Sequence, residues 1–191
     1  ELLTEIDSLK ARMLYAAEFK CIIPEFSEKS VLKIRKCYHP LLLGGEEPIE
    51  PLDLEIGEKE RILLISGPNA GGKTVLLKNL GLNILSSLAG IPIPAQEGSE
   101  IGFFTHISGI IEDEQSMEEN LSSFSSYIVR LKQILNDADE NSLVLLDELG
   151  GNTDPVEGSA LSIAILNTLK ERGSLVVATT HLSPVSYTHL R

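Results

Sequence analysis

The sequence predicts an α/β fold with a mostly parallel central sheet flanked by helices, and three observations predict it. Apolar runs RILLIS (61–66), SLVLLDE (142–148, ending in acids) and SLVVATTH (174–181) have the composition of strands buried on both faces. Segments with helical repeats alternate with those runs. A glycine-rich stretch, GPNAGGKT (67–74), sits where one strand hands over to a helix, at the carboxyl end of the strand where open α/β sheets bind ligands.

The elements follow in order. Residues 2–20 repeat Leu2, Ile6, Leu9, Met13, Ala16 and Ala17 at helical spacing, as the end of a longer arm or as an ordinary core helix. Pro24 and the polar residues 25–30 break that helix. VLKIRKCYHPLLL (31–43) gives a strand up to the His39–Pro40 turn, and Gly44, Gly45, Pro48 and Pro51 mark loop. LDLEIGEKERILLIS (52–66) reads as strand, turn at Gly57–Glu60, and strand. A long apolar helix runs from Val75 to Gly90. IPIPAQ (91–96) and IGFFTHISGII (101–111) supply short strands and connections. A helix over about 122–136 carries Phe124, Tyr127, Ile128, Leu131, Ile134 and Leu135 on one stripe. The helix after Pro155 is apolar nearly all round and is expected to be buried.

Composition narrows the classes. At 42% hydrophobic residues the chain is globular, and no run of about 18 apolar residues predicts a membrane span. Lys and Arg total 16 against 28 Asp and Glu, a net charge of −12. Such a surface repels a phosphate backbone, so any nucleic acid is expected to be held by regions outside this chain. Cys21 and Cys37 have neither metal-ligand spacing nor a disulfide framework, which predicts reduced thiols in a cytoplasmic protein. The chain opens at Glu1 with neither initiator Met nor leader, and reads as a piece of something longer.

The chemistry lies in five motifs. Gly67, Pro68, Asn69, Ala70, Gly71, Gly72, Lys73 and Thr74 match G-x-x-x-x-G-K-[ST] in full, the P-loop pattern. Glycines let backbone N–H groups curl around phosphate oxygens, Lys73 reaches the β- and γ-phosphates, and the Thr74 hydroxyl ligates Mg²⁺. In LVLLDE a buried strand ends in Asp147, placed to hold Mg²⁺, and Glu148, placed to activate water as general base. The pair, with the P-loop, predicts NTP hydrolysis coupled to conformational change. EENLSSFSSY (118–127) begins a helix: its serines cap free N–H groups, or Ser122 and Ser123 serve the nucleotide of a facing subunit, as in ATPases of the ABC superfamily. GGNTDPVEG (150–158) places Asp154 at a helix start, where ABC-type ATPases meet their partner subunit. His181, closing TTH at the end of the last strand, is either an ordinary satisfied histidine or, at a strand's carboxyl end, placed to sense a γ-phosphate.

Together these motifs resemble the ATPase domain of the MutS family, over about residues 11–182. GPNAGGKT is similar to that family's form of the loop, Asn69 included. NLSSFSSY resembles its STF signature in place of LSGGQ, and DELGGNTDPVEG and TTH resemble its metal, subunit-contact and histidine segments. CYHPLL and IPIPAQ look like further landmarks. Thr153-Asp154-Pro155 points to the second bacterial branch, the Smr-bearing MutS-two proteins; Asn152 and Ser123 depart from the usual Gly and Thr without removing a catalytic group.

The resemblance implies a P-loop NTPase of ABC-superfamily type with ATP and Mg²⁺ as cofactors and catalytic residues Glu148, Lys73 and His181. It also implies a homodimer with composite ATP sites completed by Ser122, Ser123 and Asp154, Gln115 beside the metal, and Ile49 against the adenine. Residues 1–30 become the end of a helical lever arm with its linker, and 31–182 the ATPase domain. The implied partners, gripped outside this chain, are branched or mismatched DNA, with suppression of recombination and DNA repair, or stalled ribosomes; any nuclease activity lies in a further module. The rivals are a transporter ATPase or an SMC- or RecN-like head, both expected to carry an LSGGQ-like segment, and a nucleotide switch without hydrolysis. The tail SPVSYTHLR (183–191) resembles a translated adapter, and no function is drawn from His189 or Arg191.

Overall fold

The structure is a computed structural model that describes residues 2–43, 49–68, 71–111, 120–151 and 153–181, except for the side chains of 120–124. The chain divides into two compact units, one of residues up to Glu55 together with Lys78–Phe103, the other of Ile56–Leu77 together with residues from Phe104 onward.

The second unit carries the parallel sheet. Its strands are β4 (Ile62–Ser66), β6 (His106–Ile110), β7 (Ser142–Leu146) and β8 (Leu175–Thr180), in the order β4-β8-β7-β6 and parallel at every pairing. That order explains the sequence. The inner strands β7 and β8 are buried along their whole length, so they are continuous apolar runs. The edge strands β4 and β6 are only partly covered, and β6 interleaves His106 and Ser108 with isoleucines. Helices α3 (Asn120–Asp137) and α4 (Pro155–Glu171) make the crossovers into β7 and β8 that parallel strands require. On one face Val144, Leu146, Val176 and Ala178 form a core with Tyr127, Leu131 and Ile134 of α3 and Ile165, Leu166 and Leu169 of α4. On the other face Leu143, Leu145, Leu175 and Val177 are equally buried. Each fully buried Leu or Val contributes about 1.5–3 kcal/mol, which makes β7 and β8 the rigid centre of the unit.

Helix α4 corrects one expectation. Gly158, Ser159, Ser162, Ile165, Leu166 and Leu169 are buried, whereas Ala160 is exposed and Leu161 and Ile163 are half-buried. The helix is packed on one face because it lies over a sheet, and its apolar surround exceeds what that face needs.

The first unit holds α1 (Leu2–Phe19), β1 (Glu25–Ser27), β2 (Leu32–Cys37), most of β3 (Leu52–Ile56), the greater part of α2 (Lys73–Leu88) and β5 (Glu100–Gly102). Its strands form a mixed sheet in the order β1-β5-β2-β3, with β1 parallel and β2 antiparallel to β5. IPIPAQ adds no strand: Ile93 makes a single bridge to Ile22, and Pro92 and Pro94 have no N–H for a ladder. The buried flank of α2 is partly polar. Asn79 donates to the Cys37 carbonyl at 3.3 Å, Asn83 to the Tyr38 carbonyl at 3.2 Å, and the Ser87 hydroxyl to the Asn83 carbonyl at 2.8 Å. Helix α1 buries none of its residues; Leu2, Leu3, Ile6, Leu9, Met13 and Leu14 are exposed.

Candidate nucleotide site

The carboxyl ends of β4, β7 and β8 converge within the second unit. Ser66 pairs with Thr180 across β4 and β8, and Leu146 with Ala178 across β7 and β8, so the residues just beyond each strand are neighbours. Strand β4 runs into the glycine-rich loop. The Gly71 N–H donates to the Pro68 carbonyl at 3.0 Å, and Gly72, at φ +75°, turns the chain into α2 in a conformation that favours glycine. The Leu76 N–H then donates to the Gly72 carbonyl at 2.9 Å, which starts the helical ladder. The free N–H groups of the first turn of α2 are therefore presented at the loop. Lys73 is buried, and its ammonium donates to the carbonyls of Gly67 and Pro68, each at 2.8 Å.

The acids stand opposite. Asp147, 2% exposed, accepts from the Thr74 hydroxyl at 2.6 Å on Oδ2 and from the Thr179 hydroxyl at 2.6 Å on Oδ1. Its N–H donates to the Ile110 carbonyl of β6 at 2.8 Å. Glu148 adopts a left-handed backbone at φ +49°, which costs a non-glycine residue about 1–3 kcal/mol. Its N–H donates to the Thr179 hydroxyl at 2.9 Å and its carbonyl accepts from the Gly151 N–H at 2.8 Å. A Cβ on Gly151 would stand 3.1 Å from that carbonyl, a tight contact, and Gly150 before it takes φ +80°, which favours glycine. Glu148 Oε1 lies 3.5 Å from Nε2 of His181, and both side chains are partly open to solvent.

The predicted residues thus separate into groups. Gly67, Pro68, Gly71, Gly72, Lys73, Thr74, Asp147, Glu148 and His181 all belong to the second unit, and the contacts above tie Lys73 to the loop, Thr74 to Asp147 and Glu148 to His181. Asp154 caps α4, with Oδ1 accepting from the N–H groups of Val156 at 2.9 Å and Glu157 at 3.4 Å, and is exposed. Ile49 belongs to the first unit and is half-buried ahead of β3. Asn69, Ala70, Gln115, Asn152 and residues 183–191 lie outside the described residues; Ser122 and Ser123 are in α3, and their side chains lie outside them too. The sequence assigns no role to Thr179, which only its bonds across the sheet to Asp147 and Glu148 single out.

The residue types suit Mg²⁺ with a nucleotide. One carboxylate and one hydroxyl meet at 2.6 Å, a small protein share that would leave the other positions on an ion to phosphate oxygens and water. Among the described residues no cluster of three or more His, Cys, Asp or Glu would hold an ion by itself.

MutS domain V matches residues 63–190, a span that contains the loop, both acids and the strand-end histidine. The chain belongs to the MutS family. Three endonuclease MutS2 proteins show the likeness over nearly the whole chain. That of Fusobacterium nucleatum is 49% identical over 180 residues, covering 94% of this chain and 23% of the relative. That of Clostridium kluyveri is 45% identical over 183 residues, covering 96% and 23%. That of Clostridium botulinum strain ATCC 19397 is 44% identical over 187 residues, covering 98% and 24%. The chain therefore spans about a quarter of the length of these curated relatives. It is a P-loop ATPase domain of a MutS-family protein, and none of its described helices is long and apolar enough to cross a membrane.

Proposed function

We propose that this domain hydrolyses ATP with Mg²⁺ and uses the cycle to switch a dimeric clamp between holding and releasing DNA. The observation that carries the hydrolytic step is the pairing at the end of β7: Asp147 fixed to the Thr74 hydroxyl at 2.6 Å, with Glu148 turned out beside it and partly open to solvent. Mg²⁺, when bound, neutralises charge on the β- and γ-phosphates. Thr74 and Asp147 would hold it. Lys73 would exchange the carbonyls of Gly67 and Pro68 for phosphate oxygens, which as anions are stronger acceptors. The backbone N–H groups of Gly67–Thr74, with Asn69 and Ala70, would wrap the phosphates. Glu148 would take a proton from the attacking water, while His181, now 3.5 Å from Glu148, would turn to the γ-phosphate.

The dimer is the second part of the proposal. Ser122, Ser123 and Asp154 would complete the site of a facing copy, and Gln115 would sit near the metal. Asp154 and Val156 are exposed at the head of α4, which supports a contact there. The uncovered apolar residues of α1 support its assignment as the end of an arm within residues 1–30, leading into an ATPase domain over 31–182. Branched or mismatched DNA would be gripped outside this chain, whose −12 charge disfavours binding it here. The relatives' name, endonuclease, fits a nucleic-acid substrate. The free thiols of Cys21 and Cys37 suit a reducing compartment, and we assign the protein to the cytoplasm.

The test is steady-state ATP turnover in the full-length protein and in Glu148→Gln. Wild type should turn over, and the variant should bind ATP while losing about 10²- to 10⁴-fold in kcat. Wild-type protein that binds ATP without turnover, or a fully active variant, sinks the hydrolytic reading.

A further inference from the structure

We propose that Thr179 is the positioning residue that holds Asp147 and Glu148 in register with the phosphate loop, an inference that rests on the hydrolytic reading above. Thr179 is completely buried at the penultimate position of β8. Side chains alternate along a strand, so Leu175, Val177 and Thr179 share one face of β8, as Leu143, Leu145 and Asp147 share one face of β7 and its extension. The register sets Leu146 opposite Ala178, one step before both residues, so the hydroxyl and the carboxylate emerge side by side.

One residue then makes three bonds in succession along residues 147–149, two through its hydroxyl and one through its backbone. Its hydroxyl donates its only proton to Asp147 Oδ1 at 2.6 Å. The same oxygen accepts from the Glu148 N–H at 2.9 Å, so the proton has one direction in which to point. Its backbone carbonyl accepts from the Leu149 N–H at 2.8 Å. Asp147 is thereby pinned between two hydroxyls, Thr179 on one oxygen and Thr74 on the other. Glu148 is pinned through its N–H at the very residue whose φ of +49° is unfavourable, and that unusual backbone persists because its surroundings determine it. Without the hydroxyl, the Glu148 N–H and one Asp147 oxygen lose their partner in a buried place, and the dipeptide is free to relax toward ordinary angles. Thr179 touches neither nucleotide nor metal in this scheme; it acts through the acids.

Valine has threonine's shape without its hydrogen bonds, and serine keeps the bonds without the methyl group. The experiment compares wild type, Thr179→Val and Thr179→Ser in the full-length protein by three measurements. These are amide hydrogen exchange at Glu148 in the nucleotide-free state, Mg²⁺ affinity in the presence of a non-hydrolysable ATP analogue, and kcat with KM for ATP. Thr179→Val should lose exchange protection at Glu148, weaken Mg²⁺ binding by about 10- to 100-fold and lower kcat to a similar extent, the usual scale for groups that orient metal ligands. KM for ATP should move far less than kcat, and Thr179→Ser should restore all three measurements.

A folded Thr179→Val with wild-type protection, metal affinity and kcat overturns the inference. So does a Thr179→Ser as impaired as the valine variant, because the methyl group's packing would then be what matters. An unprotected Glu148 amide in wild type overturns it without any variant, even if Thr179→Val fails to fold. Absence of turnover in wild type would instead remove the hydrolytic reading, leaving exchange and metal affinity to decide the role of Thr179.

Discussion

Both units bury neutral polar side chains on backbone carbonyls, and the second, where Ser159, Ser162, Ser174 and Thr180 are held in this way, also buries an acid. In the first, Asn79, Asn83, Ser87 and Ser99 are neutral, and most of their bonds go to backbone carbonyls or N–H groups of neighbouring turns and strands. In the second, the buried Asp147 is held by the side-chain hydroxyls of Thr74 and Thr179, beside a glutamate in a strained backbone. A neutral amide on a backbone carbonyl satisfies a group the fold itself generates, so it stitches elements together. A carboxylate lined by hydroxyls keeps lone pairs for a cation, so it is suited to a ligand. Burial is similar; the kind of partner separates architecture from site.

Lys73→Ala should sharpen that contrast most strongly. It should reduce ATP affinity by roughly 10- to 100-fold, the equivalent of losing a charge-assisted hydrogen bond of about 1.5–3 kcal/mol. Equilibrium binding with and without the substitution, beside a denaturant titration, checks it. The contrast breaks if stability falls while affinity stays.

Asn83→Ala should do the reverse. It removes the amide donor to the Tyr38 carbonyl and leaves that acceptor with only the weaker Cys37 thiol contact at 3.9 Å, at a cost of about 1–3 kcal/mol in unfolding free energy. ATP affinity should be unchanged, and a parallel loss in binding would erase the distinction between the units.

The smallest effect is a pH dependence. Burial, aided by the nearby Cys21, pushes the Cys37 thiol up from 9.0 to about 12 in the first unit. A thiol with a raised folded pKa leaves stability intact below pH 9 and erodes it between about pH 9 and 12, because the unfolded chain releases the proton first. Thiolate absorbance should show Cys37 ionising late, and Cys37→Ala should have a shallower alkaline loss of stability than wild type. Ionisation of Cys37 near its ordinary value would mean that this wall of the first unit is open to water.

Much of this was legible along the chain. The apolar runs of β7 and β8 marked the sheet's centre because strands buried on both faces need no polar alternation. GPNAGGKT and the Asp147–Glu148 pair marked the candidate site because phosphate and metal chemistry restricts the residue types at fixed local spacing. IPIPAQ misled because its alternating isoleucines resemble a strand while its prolines cannot supply ladder donors. Helix α4 misled because apolarity measures what can be buried, and a single sheet face decides what is. Thr179 gave no signal of its own: a threonine near a strand end is ordinary until its neighbour across the sheet is known.

The sequence by itself determined the α/β class, the phosphate loop, the acids and the helix that carries Lys73 and Thr74, since each is written within a few consecutive residues. Only the tertiary structure decided that β8 inserts between β4 and β7. That insertion brings Thr179 to Asp147 across 32 residues and lays Thr74 against the same carboxylate across 73. Strand order is fixed by which faces bury best against each other and by which parallel crossovers can close, and neither is encoded in any local stretch.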